Sequence, residues 1–345
     1  MGYKPFLPTV VTAVLLTACG QSQKKIPAAA PDAVKPVFIT PATTYDSDDP
    51  AIWINKKDSS QSLIIGTDKN TDGALYVYNL EGKLVKKISG LKRPNNVDIA
   101  YGLLLNGVPT DIAVATERET NQLRIYRLPD MAPIDNGGIP VFEGEAERGP
   151  MGISLYTRAA DSAIFAIVSR KSGPATGYLW QYRLSDNGQG QVTGSVIRKF
   201  GAYSGKKEIE SVAVDNELGY VYYSDEQTGI RKYYADPAKG DAEIALFGQG
   251  DFKVDNEGIS IYKSGDSTGY ILVSDQDTNS FNVYPRTGNQ STLLAKIPVS
   301  AINSDGSDVV SVNLGARYPQ GLFVAMSTDR TFHFYDWRDI AARIK

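Results

Sequence analysis

One arrangement recurs six times along this chain, and it limits the fold more than any single motif does. A marked position precedes a short apolar strand at Asp48 (before PAIW), Asn96 (before VDIAY), Met151 (before GISLY), Glu210 (before SVAV), Glu257 (before GISIY) and Asp308 (before VVSV). A second apolar strand follows each time and ends in Ser or Thr: LIIGT, IAVAT, FAIVS, VYYS, ILVS and FVAMS. A third carries aromatics: LYVYNL, LRIYRL, LWQYRL, IRKYY, FNVY and FHFYDW. Repeats of about 50 residues made of three or four short strands are the mark of a β-propeller, where each blade is a small antiparallel sheet. The chain is therefore predicted to be all-β, a six-bladed β-propeller. The stretch Val37-Phe38-Ile39-Thr40 is expected to join the last blade and close the ring, which removes exposed edges. A pair of β-sandwiches is the alternative, but it gives no reason for one Ser/Thr register to appear six times. Twenty tyrosines suit strands, and 32 glycines with 18 prolines suit many turns.

The first residues have a different character. Lys4 precedes an apolar stretch, Phe6 to Leu16, too short to span a bilayer. It runs into Leu16-Thr17-Ala18-Cys19-Gly20, which resembles the lipobox of bacterial lipoproteins. That resemblance implies cleavage before Cys19 and diacylation of its thiol; an ordinary signal peptide with an incidental cysteine is the other reading. The expected layout is a leader over 1–18, a flexible tether over 19–36 and the propeller over 37–345. The protein is then expected to be exported and lipid-anchored at a bacterial cell envelope, touching membrane only through the lipid. Gly20 in place of an aspartate favours the outer membrane. Cys19 is the only cysteine, so no disulfide can form within the chain. A formal charge of -3 gives no support to nucleic-acid binding.

In a propeller the first strands line a central channel, so equivalent positions from six blades converge near the axis. Four of the six marked positions are acids: Asp48, Glu210, Glu257 and Asp308. Two residues beyond the Ser/Thr that ends each second strand stand Lys69, Arg118, Lys171, Glu226, Gln276 and Asp329. The pattern predicts a rim with a basic sector facing an acidic one. Gathered carboxylates repel one another unless they are protonated or hold a cation. With one histidine and one cysteine in the chain, that cation is expected to take oxygen ligands, Ca²⁺ before Mg²⁺. Lys69, Arg118 and Lys171 suit an anion of several charges. The competing reading is that these are solvated loop charges that balance one another.

Several pieces together resemble the β-propeller phytases, the calcium-dependent alkaline phytases of bacteria. They are DDPAIW (48–53), GTDKN (66–70), NNVDI (95–99), ERETNQLRIY (117–126), SRKSG (169–173), IES with YSDEQ (209–227), DNEGISIY (255–262) and SDGSDV (304–309). The resemblance implies several Ca²⁺ ions in an acidic cavity and hydrolysis of phosphate monoesters of myo-inositol hexakisphosphate by metal-activated water. It implies Asp48, Glu210 and Glu257 as catalytic metal ligands, with Asp49, Asp98, Asp225, Glu226, Asp255 and Asp305 as further ligands. It also implies Lys69, Arg118, Lys171, Asn95 and Asn96 as phosphate-binding residues, phytate or its calcium salt as substrate, and a monomer. Arg148-Gly149-Pro150-Met151-Gly152 departs from the family's common Glu-x-x-Tyr-Gly, and Met151 lacks the phenolic hydroxyl a tyrosine offers. Two other functions remain at this point: a six-bladed calcium-dependent lactonase or phosphodiesterase, and a non-catalytic binding propeller. A phosphohistidine mechanism is excluded, because the lone His333 sits in FHFYDW without an Arg-His-Gly setting.

Overall fold

The computed structural model describes residues 1–4 and 27–344, so the lipobox-like segment and Cys19 lie outside the described residues. Six antiparallel sheets form the ring, five of them blades of consecutive strands and the sixth completed by a strand from the N-terminal end. The first blade is built of Ser47–Trp53, Leu63–Asp68, Gly73–Asn79 and Leu84–Leu91. The last is built of Ser307–Val310, Leu322–Ser327 and Thr331–Asp336. Its fourth strand is Phe38–Ile39, with Phe38 opposite Phe334 and Ile39 opposite His333, so the N-terminal segment closes the ring as expected. His333 is buried in this closing blade, its Nδ1 beside the Tyr335 hydroxyl at 3.3 Å.

The alternating apolar residues of each blade pack against the next blade. Ile52, Tyr76 and Tyr78 of the first blade meet Val324, Phe332 and Phe334 of the last in one continuous core cluster. Aromatic residues supply most of the area in such flat interfaces.

The repeated Ser/Thr now has a cause. Thr67, Thr116, Ser169 and Ser224 are fully buried, and Ser274 nearly so. Each donates its hydroxyl across to a main-chain carbonyl of the following blade: Asn95 (2.7 Å), Met151 (2.6 Å), Ile209 (2.6 Å), Glu257 (2.6 Å) and Ser304 (2.8 Å). Between the last and first blades the polarity reverses, with Ser47 Oγ donating to the Ser327 carbonyl at 2.9 Å. These bonds fix the chain where it enters each first strand.

That point of entry is also bulged. In blades one, two, three and five the first strand carries one extra residue, between Ser47 and Pro50, Pro94 and Val97, Pro150 and Ile153, and Asn256 and Ile259. A bulge re-aims side chains at the rim of a sheet. It places Asp48, Asn95, Met151 and Glu257 in one position, matched by Glu210 and Asp305 two residues before pairing resumes at Val212 and Ser307. This corrects the expected register in two blades. Asn95 takes the place assigned to Asn96, and Asp305 the place assigned to Asp308.

Candidate active site

Each bulge residue sits at the channel mouth because its own blade and the Ser/Thr hydroxyl of the preceding one hold the backbone beneath it. Two groups of carboxylates result. In the first, Lys69 Nζ pairs with Asp48 and lies 3.4 Å from Glu210 Oε1 and 3.6 Å from Asp305 Oδ2. Asn95 Nδ2 donates to the same Glu210 oxygen at 2.6 Å, and Arg118 Nη2 stands 3.6 Å from it. The Arg118 guanidinium also contacts Asn95 Oδ1 and the Met151 sulfur, and the Gln276 amide donates to Asp305. In the second group, Lys207 Nζ binds Glu226 Oε2 at 2.6 Å and Asp255 Oδ2 at 2.9 Å, with Glu257 Oε1 at 3.5 Å.

Carboxylate oxygens of Glu208, Glu210 and Glu226 all lie within 4.8 Å of one another, and so do those of Glu226, Asp255 and Glu257. Glu226 belongs to both sets and joins them. Asp48, Glu226 and Glu257 are buried, and Asp48 Oδ2, Glu226 Oε1 and Glu257 Oε2 have no hydrogen-bond partner. Leaving such oxygens unpaired is costly. An oxygen-liganded cation fits these sets, and it fits better than a histidine- or thiolate-seeking one, because among the described residues neither set contains a histidine or cysteine.

The electrostatics agree. Burial pushes Asp48 and Glu257 well above the usual carboxylate range, and their acidic neighbours add to the effect. Burial raises Glu226 to about 8 and Asp305 to about 6. Glu210 is the exception: burial opposes its charge, but Lys69, the Asn95 amide and Arg118 outweigh burial and hold it low. Lys69 is largely enclosed, which works against its charge, but Asp48, Glu210 and Asp305 outweigh this and hold its pKa well up.

These shifts predict an inverted stability profile for the metal-free protein. Acids with raised pKa bind more protons folded than unfolded, so stability declines as pH rises from the ordinary carboxylate range towards about 8. The shifts of Glu210 and Lys69 act below and above that window. In chelator, Tm is expected to fall as pH is raised from 5 to 8 (about 3 to 8 °C), and a saturating divalent cation is expected to flatten the fall. Differential scanning calorimetry checks this, and a Tm independent of pH in chelator argues against carboxylates held protonated by burial.

The sequence model of the phytase family matches residues 6–333. The chain is also 31% identical over 322 residues to the 3-phytase of Bacillus subtilis (strain 168), covering 86% of this chain and 81% of that protein. The chain belongs to the phytase family. Membership makes it a phosphoric monoester hydrolase. Among solved structures, hydrazine synthase of Kuenenia stuttgartiensis superposes with a TM-score of 0.50 at 11% identity, over 83% of this chain and 82% of that one, a likeness of fold alone.

With the phytase family established, the expected site residues divide into three groups. Asp48, Asn95, Lys69, Arg118, Glu210, Glu226, Asp255, Glu257 and Asp305 meet at the mouth, as the contacts above describe. The basic residues do not face the acids across the rim, however: Lys69 and Arg118 are threaded among them, a correction to the two-sector arrangement. Lys171 stands at the edge, half-exposed and paired with Glu208 at 2.7 Å.

Other expected residues lie elsewhere. Asp49, Asp98 and Asn96 line the channel behind the mouth. Asp49 accepts the Val97 amide at 3.0 Å, and Asp98 accepts the Leu155 amide at 2.7 Å and the Ser154 hydroxyl at 2.8 Å. They stitch one blade to the next, as Asp308 does by accepting the Ile52 amide at 2.8 Å. Asn96 Oδ1 accepts from Asn95 Nδ2 at 2.8 Å and so steadies it. Asp225 is buried with both oxygens taken, by Ser204 at 3.0 and 2.7 Å and by Arg231 at 2.8 Å. These bonds make it a support for the loop leading to Lys207. Sequence reasoning missed Lys207 and Glu208; the charged run Lys206-Lys207-Glu208 just before Glu210 was the available signal.

Proposed function

We propose that this phytase-family enzyme hydrolyses phosphate monoesters of myo-inositol hexakisphosphate in a calcium-dependent reaction at the propeller mouth. The observation that carries the reading is the pair of oxygen-only carboxylate sets sharing the buried Glu226, the second of them buried throughout, with Lys69 and Arg118 beside Glu210 of the first. The 3-phytase name of the B. subtilis relative supports the substrate class. Asp48, Glu210, Glu226, Asp255, Glu257 and Asp305 would hold the ions. When bound, Ca²⁺ screens phosphate charge and acidifies water, acting in both respects through its own charge. Lys69 and Arg118, which stand beside these carboxylates, would bind the phosphate. Asn95 fixes the Glu210 carboxylate, and the bulged backbone keeps these groups from drifting as charge accumulates. No side chain acts as a nucleophile.

The substrate is highly anionic and the protein is net negative, so bare encounter is repulsive and divalent cations are needed for approach as well as for chemistry. The Cys19 lipobox-like segment supports an exported, lipid-anchored enzyme of the bacterial envelope. The test is phosphate release from phytate by the purified protein in a Ca²⁺ titration, followed by EGTA. Release that rises with Ca²⁺ and is abolished by EGTA supports the reading. Release indifferent to EGTA overturns calcium dependence, and no release at any Ca²⁺ concentration overturns the substrate.

A further inference from the structure

The two carboxylate sets each contain one lysine, but the two lysines are held differently. Lys69 is enclosed, with 11% of its side chain exposed, whereas Lys207 keeps 35% exposed. Lys207 lies in the segment that joins Val192–Ala202 of the third blade to Val212–Asp215 of the fourth. The backbone of that segment is fastened: the Tyr203 hydroxyl donates to the Lys207 carbonyl, and Lys206 Nζ reaches the Gln227 carbonyl at 2.9 Å. The Lys207 side chain itself is partly open to solvent, which gives it a path out of the cluster.

Its ammonium stands where an ion would stand. It lies 2.6, 2.9 and 3.5 Å from oxygens of Glu226, Asp255 and Glu257. A Ca²⁺ ion sits about 2.3–2.6 Å from its ligand oxygens, so an ion on these oxygens and the Lys207 ammonium in its present place would overlap. The lysine nonetheless leaves Glu226 Oε1 and Glu257 Oε2 unpartnered, both on buried side chains. It therefore balances part of the charge without completing the site.

We infer that Lys207 is a tethered competitor for the cation site of Glu226, Asp255 and Glu257, occupying it when divalent ion is scarce and swinging out when ion is abundant. The inference rests on the calcium reading above and adds to it a threshold set by this chain's own side chain. The lysine is a positioning residue, since it acts on the ligands and not on the reacting atoms.

The test uses the mature protein, with CaCl₂ followed by isothermal titration calorimetry and Tm measured in EGTA and in saturating Ca²⁺. Lys207→Met is expected to tighten one class of Ca²⁺ sites by about tenfold or more, since a repelling charge within contact distance is removed. It is also expected to lower Tm in EGTA, where three acids lose their counter-charge, and to leave Tm in Ca²⁺ unchanged. Lys207→Arg keeps the charge and is expected to retain wild-type affinity and wild-type Tm in EGTA. Unchanged or weaker affinity in Lys207→Met, equal loss of Tm with and without Ca²⁺, or tightening in Lys207→Arg as well would each overturn the inference. A wild-type chain that binds no Ca²⁺ overturns the calcium reading and this inference together, whereas normal binding that Lys207→Met leaves untouched overturns the inference alone.

Discussion

Replacing Glu210 by Gln is expected to lower phosphate release by about 100-fold or more while Tm stays within a few degrees of wild type. The substitution keeps the shape of the side chain and removes its charge. One Glu210 oxygen is the meeting point of Asn95 (2.6 Å), Lys69 (3.4 Å) and Arg118 (3.6 Å). A neutral amide there removes the charge that orients both basic residues, and on the proposed reading it removes a cation ligand as well. Lys69→Ala is expected to act as severely by a different route. It leaves Asp48, Glu210 and Asp305 facing one another without their counter-charge and removes the lysine proposed to bind phosphate. Initial-rate assays at saturating Ca²⁺ with circular dichroism of the same samples decide the matter. Near-wild-type turnover in either variant means that the chemistry happens elsewhere on the molecule.

Gly306→Ala is expected to reduce stability by about 3 kcal/mol, through overpacking against groups that cannot move away. A Cβ at this position would lie 2.4 Å from Asp49 Oδ1, 2.6 Å from the Asp48 carbonyl and 2.7 Å from Asp49 Cα. Most of these atoms are backbone, and they belong to the bulge that presents Asp48. Relief of the clash therefore has to push the first blade away from the last, displacing Asp48 and Lys69 from Asp305. The expected signature is a joint loss: Tm lower by about 6 to 12 °C and divalent-ion affinity lower by about tenfold. Urea unfolding with calorimetric ion titration measures both, and a variant with wild-type values for the two would mean that the blades are not wedged together at this glycine.

The architecture was legible in the sequence because a propeller writes its core six times. The apolar strands, the Ser/Thr at the end of each second strand and the aromatics of each third strand recur at one spacing. The reason for the Ser/Thr was not legible, since the bond runs to a carbonyl about 30 to 40 residues away. Most of the acids and two of the three cations were found because they occupy repeating positions. Asn96 was misplaced by the bulge of the second blade, where one extra residue shifts which side chain reaches the rim, and Asp308 was misplaced because the residue at the mouth, Asp305, lies ahead of the strand Ser307–Val310 and not in it. Asp225 was named through the resemblance carried by YSDEQ, and no sequence pattern shows that its carboxylate is engaged by Arg231 and Ser204. Lys207 stayed hidden because it lies between blades, where there is no repeat to compare it with.

The strand Phe38–Ile39 completes a sheet whose other members come from the far end of the chain. Thr40 lengthens the join, its amide reaching the Phe332 carbonyl at 3.0 Å and its hydroxyl accepting the Phe332 amide at 2.9 Å. The two ends of the polypeptide are thus buckled together without a covalent link, and no blade can peel off as an independent piece. Trimming the chain to begin after residue 40 would leave Thr331–Asp336 as a raw border able to recruit a strand from a second molecule. Fusing the old ends through a short linker and opening the chain in a solvent-facing hairpin would preserve the circle.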